Sequence, residues 1–497
     1  MGKSSHRYSR REFLSSVGGA VAARRLLKGF EPPAARSKAA VKPRNLIFII
    51  SDDHRYDFFG FLRRPRFLKT PHLDRFAQQG AHLQNAFVTT SLCSPSRASI
   101  LTGMYPHTHG VVDNDSPMMK QNVFFPKYLQ DSGYKTAFIG KWHMGNHTDE
   151  PQEGFDRWVS FPGQGVYHDP EFNIDGAHRQ QTGYITDLLT DYAVEWIDAQ
   201  RDHRFLLYLS HKAVHAMFEP AARHLGRYAQ VALEYPASMA NTEANYRDKP
   251  RWVREQRSSW HGVDYMYHGQ LDFDTFYRRY CETLLALDDG IGRILAALQE
   301  RGLLQSTLIL YTSDNGFSLG EHGLIDKRQM YEESMRIPML AHCPELIKPG
   351  TRVAEFVQNV DIAPTLLDAS GVQAPKEMEG KSFLPLLSGE RIPWRDTVFY
   401  VYYWERPFPH TPTVLGIRTQ RYKYMTYHGI WDVDELYDIE NDPQEMENLI
   451  NRAEHRELIE ALRQRIFDWL EAKNAMSIPL RRSSLWQAAE RGVHFDH

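Results

Sequence analysis

Asn45-Leu46-Ile47-Phe48-Ile49-Ile50-Ser51-Asp52-Asp53 is the stretch from which the fold is read. A continuous apolar run of strand length suits a parallel strand buried on both faces. Its C-terminal end hands over to two carboxylates. The same pattern recurs three times: Thr136-Ala137-Phe138-Ile139 runs into Gly140-Lys141-Trp142-His143, Phe205 to Ser210 runs into His211 and His215, and Thr307 to Ser313 runs into Asp314-Asn315-Gly316. Sites in open α/β sheets form beyond the carboxyl ends of the strands, so these four ends are expected to converge.

Helical periodicity separates the strands. Leu284, Leu287, Ile291, Ile294, Leu295 and Leu298 fall at three- and four-residue spacings, one stripe to pack on a sheet; Cys281 opens this segment and Gly302 ends it. The alternation predicts an α/β fold with a large, mostly parallel sheet flanked by helices. From about residue 390 the texture changes. Thr397 to Trp404 and Arg421 to Met425 are aromatic and β-branched, as in short antiparallel strands, and 452–473 reads as a final amphipathic helix. The expected organisation is an export signal and linker over 1–43, a catalytic α/β domain over 44–390, a smaller C-terminal α+β subdomain over 391–480, and a tail over 481–497. Residues 220–280 carry aromatics and charges without a regular period and are read as an insertion on the substrate side.

Composition narrows the function classes. The chain has 497 residues, 42% apolar and 24% charged, with a net charge of −3. That balance is globular, and it supplies no field that calls for nucleic acid or an anionic membrane. No apolar run is long enough for a transmembrane segment. The three cysteines, Cys93, Cys281 and Cys343, are too few and too odd in number for a disulfide framework. Cys281 and Cys343 read as small buried hydrophobes. Near the N-terminus, Arg10-Arg11 precedes Phe13-Leu14 and a Gly/Ala-rich stretch. That resembles a twin-arginine export signal and predicts a periplasmic or secreted protein.

The sharpest motif is Ser91-Leu92-Cys93-Ser94-Pro95-Ser96-Arg97-Ala98-Ser99-Ile100-Leu101-Thr102-Gly103. It resembles the signature of the formylglycine-dependent sulfatases, whose core is Cys-x-Pro-Ser/Ala-Arg. Gly133 to His143 resembles the second signature of that family, in the family's order, and the likeness runs from about residue 44 to about 450. The family has an alkaline-phosphatase-like fold. The resemblance implies that Cys93 is oxidised to formylglycine (3-oxoalanine) by a separate formylglycine-generating enzyme that reads Cys-x-Pro-x-Arg. A thiolate attacking sulfur has no easy way out of the product, whereas an aldehyde hydrate has one hydroxyl to attack sulfur and a second to expel sulfate.

By the same resemblance Asp52, Asp53, Asp314 and Asn315, with the oxygen of modified Cys93, form a metal site. Carboxylate and amide oxygens favour a hard ion; Ca²⁺ is preferred, with Mg²⁺ as the alternative. Arg97, one helical turn after Cys93, is assigned to stabilising the nucleophile and the metal cluster. Lys141 and His143, two apart in an extended segment, are expected to point the same way, Lys141 to sulfate and His143 as the base that collapses the intermediate. His215 and Lys327 are expected to face the leaving-group oxygen, His215 as proton donor. In relatives a Pro often follows the histidine equivalent to His215; here the text is His215-Ala216-Met217-Phe218, and His211 is a competitor for the role. His322 is read either as a substrate contact or as a structural residue. His54 and Arg55 are read as neighbours of the ligands.

The stretch Trp158 to Pro170 resembles carbohydrate sulfatases acting on N-acetylglucosamine 6-sulfate and on ulvan. The reading is a carbohydrate sulfatase, with two rivals: a phosphonate monoester or phosphodiester hydrolase on the same scaffold, and a non-catalytic glycan-binding protein.

Overall fold

The run at Leu46–Ser51 becomes the central strand of a large sheet. The computed structural model describes residues 42–479, apart from 147 and 201. The expected export signal at the N-terminus and the tail after residue 480 therefore lie outside the described residues. The strands of the large sheet are β1 (Leu46–Ser51), β2 (Ala81–Phe87), β3 (Lys135–Lys141), β4 (Arg157–Phe161), β5 (Glu171–Ile174), β6 (Ala177–Gln180), β7 (Phe205–Ser210), β8 (Leu308–Ser313), β9 (Met339–His342) and β10 (Thr351–Gln358). Their order is β10-β2-β9-β8-β1-β7-β3-β4-β5-β6. The four strands that the sequence singles out, β8, β1, β7 and β3, are consecutive neighbours and all parallel. The flanks are mixed: β9 runs antiparallel to β8 and β2, and β5 and β6 form an antiparallel edge.

Successive side chains of β1 go to opposite cores. Leu46, Phe48 and Ile50 pack on one face with Phe138, Tyr208 and Leu310. Ile47 and Ile49 pack on the other with Leu207, Ile309 and the helices Ile185–Ala199 and Phe273–Glu300. Both faces are dry, which is why the strand shows no polar alternation. The helix Phe273–Glu300 is longer than its apolar stripe suggests. It starts at Asp272, whose carboxylate accepts from the backbone N–H of Thr275 at 2.9 Å, so Cys281 lies inside it rather than at its start. Leu295 is half-buried at the margin of the stripe.

A second sheet, β11 (Thr397–Tyr402), β12 (Thr413–Thr419), β13 (Tyr422–His428) and β14 (Glu435–Asp438), is antiparallel throughout. The helix Arg456–Ala472 covers it through Leu462, Ile466 and Leu470. This sheet meets the large domain through polar contacts as well as apolar ones. The Val401 N–H donates to the Thr89 carbonyl at 2.9 Å, and Arg328 Nε to Glu405 Oε1 at 2.8 Å. No helix among the described residues is long and apolar enough to cross a membrane.

Candidate active site

The helix Cys93–Thr102 begins at Cys93, so the first-turn position of the thiol and the second-turn position of Arg97 share one face. Cys93 is fully buried, and Lys327 Nζ lies 3.0 Å from its Sγ. Asp52 Oδ1 is 3.7 Å from the same sulfur. Burial first, then the charge of Asp52, pushes the Cys93 thiol up to about 12. An unmodified thiol here stays protonated and is a poor nucleophile at neutral pH.

The strand ends deliver the carboxylates. Asp52 and Asp53 follow β1, and Asp314 follows the adjacent β8. Ligand oxygens of the three lie within 4.8 Å of one another, and all three residues are buried. Arg97 binds two of them: Nε and Nη2 lie 2.9 and 2.8 Å from Asp314 Oδ2, and Nη2 lies 3.2 Å from Asp52 Oδ2. Its remaining group, Nη1, donates to the Lys141 carbonyl at 2.9 Å and Ser210 Oγ at 2.6 Å. Lys141 Nζ contacts Asp52 Oδ2 and Gln164 Oε1. Lys327 Nζ donates to Asp53 Oδ1 at 2.6 Å.

These charges set the protonation states. Burial would raise Asp52, but the charges of Lys141, Arg97 and Lys327 outweigh it and hold the carboxyl well below its usual range. Asp53 goes the other way. Burial raises it to about 7, with Asp52 and Asp314 adding repulsion that Lys327 only partly offsets. Asp314 is raised as well, by burial and then by Asp52. Burial opposes the charge on Lys327, but the carboxylates of Asp53 and Asp52 hold its affinity for the proton well above the ordinary value.

The donor set fits a hard divalent cation. The cluster has three buried carboxylates, and Asn315 Oδ1 is buried with no hydrogen-bond partner, while its Nδ2 donates to Asp53 Oδ1 at 2.6 Å. The raised Asp53 and Asp314 mark a place where positive charge is in short supply. Oxygen donors without thiolate or imidazole suit Ca²⁺ or Mg²⁺.

The two histidines are neutral and oriented. Asp115 Oδ1 accepts from Asn146 Nδ2 at 2.7 Å, so Asn146 turns its Oδ1 to His143 Nε2 at 3.0 Å. Nε2 therefore carries the proton, and Nδ1, buried and unpartnered, keeps its lone pair. Burial, then Lys141 and Arg97, depress the proton affinity of His143 well below its ordinary value. His215 Nδ1 sits 2.5 Å from the Ala216 carbonyl and donates to it, leaving Nε2 bare, 3.9 Å from Asp53 Oδ2 and grouped with Asp52 and Cys93. Burial and then Lys327 hold it neutral. A protonated Lys327 thus faces an unprotonated His215 across the buried sulfur in the free protein.

Several sequence expectations need correction or refinement. β3 ends at Lys141, and His143 has φ +50, so the two do not share an extended register; the turn after the strand places His143 instead. Ser94 Oγ, beside Cys93, donates to the His143 carbonyl at 2.6 Å and fixes that turn. His211 is fully buried with neither ring nitrogen paired, and its acidic neighbour is Asp187, so it does not join the cluster. His322 stacks on Tyr331 at 3.9 Å, with its Nδ1 3.2 Å from Lys249 Nζ, and is structural. His54 binds the Tyr311 hydroxyl at 2.6 Å and the Phe58 carbonyl at 3.0 Å, and Arg55 pairs with Asp57 and Glu321. None of these partners is a carboxylate of the Asp52, Asp53 and Asp314 cluster. Within residues 220–280, His261 meets the segment that leads to Lys327: its carbonyl accepts from Ile325 N–H at 2.7 Å, and its ring is 3.6 Å from Asp326. Sequence reasoning assigned no role to Ser210, Gln164, Lys212 or Tyr280. Ser210 closes β7, and its position at a strand end was the signal available.

The family model for sulfatases matches residues 44–372. The chain belongs to the sulfatase family. A second model, the C-terminal region of N-sulphoglucosamine sulphohydrolase, matches residues 320–472. An N-acetylglucosamine-6-O-sulfatase from Bacteroides thetaiotaomicron is 35% identical over 84% of this chain and 84% of its own length. An N-acetylglucosamine-6-sulfatase from Capra hircus is 30% identical over 74% of this chain and 67% of its own. A solved structure of a protein in complex with its substrate D-glucosamine-2-N,6-O-disulfate is 33% identical, with a TM-score of 0.81, covering 88% of this chain and 99% of that one. This sulfatase is a sulfuric ester hydrolase, with the fold that its sequence predicts.

Proposed function

We propose that this sulfatase removes sulfate from a sulfated carbohydrate, a polysaccharide or glycosaminoglycan fragment, at the cluster around Cys93. The observation that carries this reading is the meeting of four parallel strand ends around one buried cysteine, in a chain that matches a glucosamine-disulfate complex over 88% of its length. Asp52, Asp53, Asp314 and Asn315 would hold Ca²⁺, or Mg²⁺ in its place, which supplies positive charge to the sulfate and to the oxygen at position 93. Oxidation of Cys93 by a formylglycine-generating enzyme would replace an inert thiol with an oxygen nucleophile.

The chain's own residues divide the remaining work. Arg97 keeps Asp52 and Asp314 ionised and aligned as ligands. Lys141 and Lys327 offset charge on the equatorial sulfate oxygens. His143, neutral with a free Nδ1 lone pair, is the base. His215 lacks a proton at Nε2 in the free protein; an arriving sulfate anion offsets the repulsion from Lys327, raises its proton affinity and makes it the acid for the leaving oxygen. An export signal at the N-terminus would carry the protein to the periplasm or beyond, where polymeric sulfated sugars are met.

The test is a panel of sulfated mono- and disaccharides, an aryl sulfate, and matched phosphate and phosphonate esters, assayed on wild type and Cys93→Ala. The reading expects sulfated sugars to lead by kcat/KM, and Cys93→Ala to lose at least about 10³-fold with folding intact. Ample aryl sulfate turnover without sugar turnover refutes the carbohydrate assignment. A lead for phosphonate esters favours the rival hydrolase. The mass of the tryptic peptide containing Cys93 separates thiol from aldehyde.

A further inference from the structure

The stretch Trp158 to Pro170 stands out in the sequence, yet the assigned roles leave it idle. In the structure it meets both flanks of the site. β4 runs parallel to β3, with Phe161 level with Lys141. The chain then turns through Gly163-Gln164-Gly165, with both glycines in the left-handed region at φ +55 and +65. A Cβ at Gly165 would lie 2.4 Å from the Phe161 ring, so the sharp return requires glycine there. The turn brings half-buried Gln164 back over the end of β3, where its Oε1 accepts from Lys141 Nζ. Two further contacts fix the loop. Buried Lys212 donates to the Gln164 carbonyl at 3.1 Å and sits 4.6 Å over the Tyr167 ring, and the Tyr167 hydroxyl donates to the His215 carbonyl at 2.7 Å.

An ammonium has three N–H bonds and no acceptor. Those of Lys141 have two fixed partners here, Asp52 Oδ2 and Gln164 Oε1, and two fixed directions determine the third. We propose that Gln164 is a positioning residue that sets the rotation of the Lys141 ammonium and so aims its third N–H at a sulfate oxygen, with Lys212 and Tyr167 locking the loop that carries it. Without the Gln164 acceptor the ammonium swings about the Asp52 contact, and the alignment is lost at the step where charge develops on sulfate. This inference rests on the sulfatase reading of Lys141.

The test uses the matured enzyme with Gln164→Leu, which fills the space without an acceptor, and Gln164→Glu, which keeps an acceptor at the same reach. On N-acetylglucosamine 6-sulfate at saturation, Q164L is expected to lower kcat about 10- to 100-fold, the weight of one hydrogen bond to a charged group. Q164E is expected to keep kcat within about five-fold, with a raised KM from repulsion of the anion. Lys212→Met should lower kcat in the same direction, and the K212M/Q164L double variant should be no worse than Q164L alone, because both act through one contact. Calorimetry of inorganic sulfate with the thiol form gives a readout free of turnover, and Q164L is expected to weaken its binding about 10-fold. A Q164L enzyme within two-fold of wild type in kcat, a Q164E enzyme as slow as Q164L, or equal sulfate affinities would overturn the proposal. If wild type turns over phosphonate esters instead, the substrate assignment fails, and the same pair of variants assayed on those esters still decides the role of Gln164.

Discussion

Replacing Arg97 by Met isolates the electrostatics of the cluster from its chemistry. Arg97 is 2% exposed and is the shared counterion of Asp52 and Asp314. Met roughly fills the stem but leaves both carboxylates buried without their guanidinium. Removing one partner of a buried ion pair costs about 3–5 kcal/mol. Unfolding entropy of about 2.1 cal/mol/K per residue, over the roughly 440 described residues, makes each kcal/mol worth about 1 °C, so R97M is expected to lower Tm by about 3–5 °C. A divalent cation bound by the same carboxylates supplies the missing charge, so saturating Ca²⁺ is expected to close more than half of that gap, and R97M should bind Ca²⁺ more tightly than wild type. The assay is thermal unfolding of both proteins in chelator and in Ca²⁺, with Cys93 as the thiol. Turnover is the wrong readout, because under the proposed function Arg97 would also belong to the motif read by the maturing enzyme. A Tm shift under 1 °C in chelator, or a gap that widens in Ca²⁺, would refute the account of Arg97 as counterion to a metal-binding pair.

The same geometry sets three further outcomes. Because burial and its acidic neighbours raise Asp53 to about 7, Ca²⁺ binding at pH 6 should release close to one proton and weaken with each unit of acidification, while at pH 8.5 release should vanish; calorimetry in two buffers of different ionisation enthalpy checks this, and no release at pH 6 contradicts it. Gly140 has φ +122, and a Cβ there would lie 1.7 Å from the Ser210 carbonyl oxygen of the adjacent strand. Gly140→Ala should therefore destabilise by about 3 kcal/mol or more and lower soluble yield, and an unchanged Tm would show that β3 and β7 part more easily than their pairing suggests. Lys327→Met should leave Asp53 without its closest cation, raise its carboxyl further and shift the proton release on Ca²⁺ binding to higher pH; an unshifted profile would remove Lys327 from the account.

The sequence by itself determined the four central strands, β1, β3, β7 and β8, and what they end in. An apolar run such as Leu46–Ser51 can be satisfied only by burial on both faces, and the polar residues after it must leave the sheet together at its carboxyl edge. The motif around Cys93 and the pairs at Asp52-Asp53 and Asp314-Asn315 were legible through their resemblance to the sulfatase family and their place beside or after buried strands. The turns beyond the strand ends were less legible. His143 turns at positive φ, and no spacing rule forecasts that a hydroxyl from Ser94 will pin its carbonyl. His211 and His215 look alike in one dimension, and only the packing sends one ring to Cys93 and leaves the other against the core. The tertiary structure alone also decided the protonation states. The charge on Asp53, Lys327 or His215 depends on burial and on partners up to some 270 residues away along the chain, and those distances close only when β8, β1, β7 and β3 lie side by side. Gln164 belongs to this second kind: two glycines and a neighbouring strand carry it to Lys141, and nothing about a lone glutamine announces that destination.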